Sequence, residues 1–89
     1  MKIEFTNKFK RNFGRLSEDD QEAFSRQLKK FIDNPTPPFH PSLRIKKVQG
    51  TDGIFEFTVT MGIRMTFEFG EDKIVLRNIG EHDLTLKNP

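Results

Sequence analysis

Residues 53–69 read GIFEFTVTMGIRMTFEF. Apolar and polar side chains alternate there with a period of two, the pattern of a strand buried on one side only. Met61-Gly62 interrupts the alternation for two residues, which predicts a tight hairpin. Before the turn Phe55, Phe57 and Val59 point one way. After it Ile63, Met65, Phe67 and Phe69 share a face, leaving Arg64, Thr66 and Glu68 opposite.

The same period extends outward on both sides. Four strands are predicted, at Leu43–Val48, Ile54–Thr60, Ile63–Phe69 and Lys73–Ile79, separated by GTDG, MG and GED. Connections that short join antiparallel neighbours, so the strands form a meander. In the last strand Ile74 and Leu76 are core candidates, with Val75, Arg77 and Ile79 on the other side. In the first of the four, Leu43 and Ile45 leave Arg44 and Lys46 opposite. One face is thus apolar, and the other gathers Arg44, Lys46, Arg64 and Arg77 into an expected basic groove.

The amino-terminal half supplies the cover for the apolar face. Lys2–Phe5 reads as a short strand with Thr6 as the following helix cap. Phe9, Phe13 and Leu16 recur at i, i+4 and i+7, an amphipathic helix with Gly14 near its end. In SEDDQEAFSRQLKKF, residues 17–31, Ser17 and Asp20 have the spacing of a capping pair, and Glu18, Asp19 and Asp20 sit where the helix dipole favours anions. Phe24, Leu28, Phe31 and Ile32 form its expected buried stripe, and Asn34-Pro35 ends it. The two helices form an αα-hairpin. NPTPPFHPSL, residues 34–43, holds four of the five prolines and reads as a stiff connector that fixes His40 in place. The expected class is therefore α+β, a strand and αα-hairpin packed on one face of a twisted antiparallel sheet, in the order β-α-α-β-β-β-β.

Eighty-nine residues make one expected domain, 1–89, with a small core. Ten phenylalanines and no Tyr or Trp suit packing more than polar recognition. The absence of cysteine excludes disulfides and thiolate metal sites and suits a reducing cytoplasm. Charged residues break every apolar stretch and no signal-peptide core opens the chain, so no membrane partner is expected. The net charge is only +2. Its distribution is uneven, with Lys2, Lys8, Lys10, Arg11 and Arg15 against Glu4 alone in residues 1–16, and Arg44, Lys46 and Lys47 without an acid in residues 34–50. Such blocks suit a polyanion or an acidic partner, or simply a solvated surface.

Two residues carry candidate chemistry. Arg64 stands mid-strand, where it either pairs across strands with Glu56 or Glu68 or presents its fork of donors to a phosphate. His82, in GEHD at residues 80–83, has the near-neutral titration that acid–base work needs, or is a polar strand end. A metal site shared by His82 and His40 lacks a third ligand at suitable spacing, so no metal or other cofactor is expected.

With this architecture, the segments HPSLRIKKVQG, GIFEFTVTMGIRMTFEF and KIVLRNIGEHD resemble the RelE/ParE superfamily of toxins from type II toxin–antitoxin modules, over essentially the whole chain. The resemblance implies a RelE-like fold and a cytoplasmic toxin with a cognate antitoxin as partner. For the RelE/YafQ-like branch it implies an endoribonuclease working on mRNA in the ribosomal A site. There a 2′-hydroxyl attacks the adjacent phosphate, giving a cyclic phosphate and a free 5′-hydroxyl. Arg64 matches the family's fourth-strand arginine, Lys46 and Lys47 its second-strand basic cluster, and His82 the histidine of a terminal Gly-x-His motif. His40 lies near a second histidine of the YafQ-like subset. The implied catalytic set is His82, Arg64 and Arg77, with Arg44, Lys46, Lys47 and His40 holding RNA. The chain departs from the pattern in three ways: only Leu84 and Leu86 follow where relatives have a terminal aromatic, Gly62 replaces an aspartate, and no carboxy-terminal helix is expected. The alternatives are a ParE-like toxin that inhibits gyrase without catalysis, and a non-toxic RNA-binding scaffold.

Overall fold

The computed structural model describes residues 2–89. Its elements are β1 (Lys2–Phe5), α1 (Asn7–Phe13), α2 (Glu18–Asp33), a 3-10 turn (Pro41–Leu43), β2 (Lys46–Lys47), β3 (Ile54–Thr58), β4 (Ile63–Gly70), β5 (Lys73–Glu81) and α3 (His82–Lys87). The sheet order is β1-β5-β4-β3-β2. Strands β2 to β5 form the antiparallel meander, but β1 joins β5 in parallel, so the sheet is mixed rather than antiparallel.

Both caps read from the sequence are made. Thr6 Oγ1 accepts from Phe9 N at 3.0 Å and Ser17 Oγ from Asp20 N at 3.1 Å, satisfying amides that a helix start leaves without partners. Thr6 also ties its own hydroxyl to the Arg77 carbonyl at 2.6 Å and its amide to the Leu76 carbonyl. One residue thus ends β1, starts α1 and fixes both to β5, and α1 takes over the β5 edge where β1 stops.

Phe31 sits at the centre of the core, fully buried, with ring centroids of Phe67, Phe57 and Phe39 at 4.9, 5.8 and 6.0 Å. Burying each such side chain contributes roughly 1.5–3 kcal/mol. Phe9, Phe13 and Phe24 extend the cluster to α1. Ile32, expected in this stripe, is 48 % exposed, because the turn of α2 that faces the sheet presents Phe24, Gln27 and Phe31 instead. Gln27 is buried and donates to the Ser42 and Thr58 carbonyls, joining α2 to the connector and β3.

Three expectations fail in ways that shape the outer face. Arg44 is not in a strand. It ends the 3-10 turn in the left-handed region (φ 47°), so strand parity assigns it no face, and the buried Leu43 belongs to that turn. Ile79 is a core residue, not an outer one. Thr66 pairs with Asn78 but Phe67 with Leu76, which leaves Arg77 as an extra residue and reverses the parity beyond it. Finally, a helix does follow β5. Its buried Thr85 lies against Gly80, where an added Cβ would sit 3.0 Å from Thr85 Oγ1, so glycine permits the close approach. No helix among the described residues is long and apolar enough to cross a membrane.

Candidate functional site

β5 ends and α3 begins at His82, and this junction builds the site. Glu81 caps the helix through its carboxylate, which accepts from Leu84 N at 3.1 Å. The His82 amide donates to the Gly62 carbonyl at 2.9 Å, which pins the junction to the β3–β4 turn. His82 Nδ1 lies 2.9 Å from Asp83 Oδ1, and Nε2 takes no hydrogen-bond partner among the described residues. The imidazole is partly exposed on the wall of an open groove of about 500 Å³. Lys46, Lys47, Glu56 and Leu86 line the same groove.

Strand pairing explains the gathering. Lys46 is the partner of Glu56 across β2–β3, and Glu56 that of Thr66 across β3–β4, so Lys46 and Glu56 lie in a row on the outer face. Helix spacing adds Leu86 one turn beyond His82. Glu56 is almost wholly buried and lies 3.7 Å from Arg64 Nε. Sequence reasoning offered Glu56 only as a partner for Arg64. Its place between Phe55 and Phe57, on the parity of Arg64, was the signal that assigned it to this face.

The arginines behave differently from one another. Arg64 is on the outer face and mostly buried. Its Nη1 donates to the carbonyls of Thr60, Met61 and Ile63 at 2.6, 3.0 and 3.2 Å, so it braces the turn on which His82 hangs. The cross-strand pair with Glu56 is formed, and the guanidinium sits beneath the groove rather than open to it. Arg77 shares the outer face, but the bulge carries it toward the far end. There Nη1 meets Glu68 Oε1 at 2.7 Å and Nε donates to the Pro89 carbonyl at 3.1 Å. Thr66 donates to the same carbonyl. The expected contiguous basic groove is therefore interrupted: Arg77 holds the tail of α3, Arg44 lies outside the strands, and acids neutralise Arg64 and Arg77.

His40 is also elsewhere. Its Nδ1 accepts from Ser42 N at 3.2 Å and lies 2.9 Å from Ser42 Oγ, capping the 3-10 turn. It lines a separate hollow with Lys30 and Asp33 on the α2 side. The groove thus brings together His82, Lys46 and Lys47 of the expected residues, with Arg64 behind Glu56, and excludes His40, Arg44 and Arg77.

A strand and an αα-hairpin against a five-stranded mixed sheet is the fold also seen in solved RelE/YafQ-type toxins. Among solved structures, YafQ from E. coli strain BL21(DE3) superposes with a TM-score of 0.78, covering 93 % of this chain and 94 % of that one at 14 % identity. RelE in the RelB-RelE antitoxin–toxin complex from Methanococcus jannaschii gives 0.74, 97 %, 98 % and 13 %. A YoeB/ParE toxin from Agrobacterium tumefaciens gives 0.76, 92 %, 99 % and 14 %. Structures of YafQ with DinJ and of RelE with RelB show toxins of this fold held by antitoxins. No protein-family model and no curated protein matches the sequence.

Proposed function

We propose that this protein is the toxin of a type II toxin–antitoxin pair, a cytoplasmic endoribonuclease that cuts mRNA in the ribosomal A site and stops translation. The observation that carries the proposal is the groove itself, where the free Nε2 of His82 is set beside Lys46, Lys47 and the buried carboxylate of Glu56. The fold shared with YafQ and RelE supports it.

The reaction needs a base, an acid and cations. Glu56, paired with Arg64, takes the proton of the RNA 2′-hydroxyl. The 2′-oxygen then bonds to the adjacent phosphorus as the bond from phosphorus to the 5′-oxygen breaks. His82, protonated, gives the Nε2 proton to that leaving oxygen, so the products are a 2′,3′-cyclic phosphate and a 5′-hydroxyl. Lys46 and Lys47 hold the phosphate and offset the extra charge of the transition state, each removal costing about 10²–10³ in rate if the site follows other preorganised charge stabilisers. Asp83 holds His82 through Nδ1, which orients Nε2 toward the groove.

Purified protein is to be mixed with programmed ribosomes and the mRNA ends mapped. Cleavage leaving a 5′-hydroxyl is expected, and His82→Ala loses about 10²–10⁴ in rate with folding and RNA binding intact. A folded His82→Ala that cuts at the parental rate removes the histidine from the mechanism. Pulse labelling in cells separates the ParE-like alternative, in which DNA synthesis fails first while translation continues.

A further inference from the structure

Lys30 and His40 line the hollow on the α2 side, apart from His82, and both reach the hydroxyl of Ser42. Ser42 Oγ lies 2.9 Å from His40 Nδ1 and 3.2 Å from Lys30 Nζ. The donors fix the direction of each bond. An ammonium can only donate, so Lys30 gives a hydrogen to Ser42 Oγ. The Ser42 amide donates to His40 Nδ1 at 3.2 Å, so the ring that makes this bond is the neutral tautomer with its hydrogen on Nε2. Nδ1 is therefore an acceptor, and the Ser42 hydroxyl points its hydrogen at it. Capping the 3-10 turn needs only the amide bond. It needs neither the hydroxyl nor Lys30, which comes from α2, twelve residues away. The surroundings hold Ser42 still: buried Gln27 donates to its carbonyl at 3.2 Å, and Leu43 beside it is buried. Pro38, Phe39 and Pro41 give the hollow, of about 500 Å³, an apolar wall.

We propose that Ser42 is an activated nucleophile that takes an acyl group from an activated ester or thioester, with His40 as its base. A hydroxyl aimed at a neutral imidazole is the arrangement that makes serine nucleophilic. Ser42 Oγ bonds to the acyl carbon as its proton passes to His40 Nδ1. The bond from that carbon to the leaving oxygen or sulfur then breaks, and the leaving group takes the proton from Nδ1. The acyl group stays on Ser42 as an ester, and no oxidant or further reactant is needed. Lys30, a cation beside the reacting oxygen, favours the negative charge that develops there. The apolar wall suits the carbon chain of the acyl group. None of this depends on the toxin reading.

The probe is p-nitrophenyl acetate, added to the folded full-length protein near neutral pH, where lysine amines are protonated. Release of p-nitrophenolate is followed, and peptide mapping locates the acetyl group. Stoichiometric acetylation of Ser42 is expected, with Ser25, an exposed serine whose hydroxyl meets only the Gln21 carbonyl, left unmodified. His40→Asn keeps an acceptor for the Ser42 amide, as asparagine caps do, but supplies no base. It should slow acetylation by about 10²-fold or more while circular dichroism matches the parent. Lys30→Met, which leaves the cap untouched, should slow it severalfold. Acetylation of Ser42 at the parental rate in His40→Asn overturns the proposal. So does acetyl spread equally over Ser25 and Ser42, or a Ser42 that stays unmodified. A chain that acetylates Ser42 but cuts no RNA refutes the nuclease and keeps the nucleophile.

Discussion

Replacing Arg64 with alanine should cost far more stability than a surface arginine would. Glu56 is only 4 % exposed, and Arg64 Nε at 3.7 Å is its ion-pair partner. Removing the guanidinium leaves a buried carboxylate without compensation, a change that typically costs about 3–5 kcal/mol. The three turn carbonyls that Nη1 holds are a smaller matter, because the turn carries the 85 %-exposed Met61 and water can reach it. Urea unfolding measures the loss directly. A native chain has only about 5–15 kcal/mol in reserve, so Arg64→Ala should be near its limit at 37 °C. Glu56→Leu combined with Arg64→Leu removes both charges and should recover most of the loss, since apolar pairs often replace buried ion pairs without penalty. An Arg64→Ala variant within about 1 kcal/mol of the parent would show that Glu56 and Arg64 are not coupled. It would also weaken the proposed base role of Glu56, which rests on its pairing with that arginine.

Gly80→Ala should destabilise by about 1–3 kcal/mol and slow cleavage, because its φ of 158° is one that side-chain-bearing residues rarely adopt and its Cβ would meet Thr85 Oγ1; adding Thr85→Ala relieves the contact but not the backbone strain and should recover only part of the loss, as read by urea midpoint and RNA cleavage. Lys73 Nζ, 2.9 Å from Glu4 Oε1, holds the Glu4 carboxyl below the ordinary range through its hydrogen bond and charge. That pair favours the fold above the ordinary glutamate pKa, and its help disappears as the pH falls through the lowered value. The acid limb of stability should therefore flatten in Lys73→Met when melting temperature is followed from neutral pH downward. His40→Ala should loosen the 3-10 turn yet leave the cleavage rate unchanged, because His40 faces a different hollow from His82. A large drop in rate with normal folding would return His40 to the RNA path.

The central hairpin was legible because its alternation is nearly unbroken and its faces pack as Phe55 on Phe67 and Phe57 beside Met65. Both helix caps were legible because a hydroxyl three residues ahead of a free amide is a local arrangement. What the sequence concealed was non-local. The parallel pairing of β1 with β5 joins residues about seventy apart, and nothing in Lys2–Phe5 names its neighbour. The brevity of β2 comes from the 3-10 turn that draws Leu43 into the core, which a period of two in the letters conceals. Of the expected site residues, His82, Lys46 and Lys47 line one groove. Arg44 is absent from it because the chain leaves strand geometry there, and Arg77 keeps the outer face assigned to it but is held by Glu68 and Pro89 away from the groove.

The bulge at Arg77 accounts for more of the outer face than any other single residue. One residue without a partner lets Leu76 and Ile79 both point inward, three positions apart, where uninterrupted alternation would put them on opposite sides. The same extra residue places Asn78 next to Arg77 on the outer row, buried and fully engaged. Its Oδ1 accepts from Asn12 Nδ2 at 2.7 Å and its Nδ2 donates to the Asn88 carbonyl at 2.8 Å. Asn78 thus links α1 to the tail of α3, while Arg77 and Thr66 hold Pro89. With its tail fixed there and the His82 amide fixed on Gly62, α3 has one way to lie, with Thr85 against Gly80 and His82 and Leu86 toward Glu56 and Lys46. The irregular residue in β5 therefore sets the far end of the helix that begins at His82. Arg77, expected from the sequence in the catalytic set, instead holds the tail of that helix through Pro89.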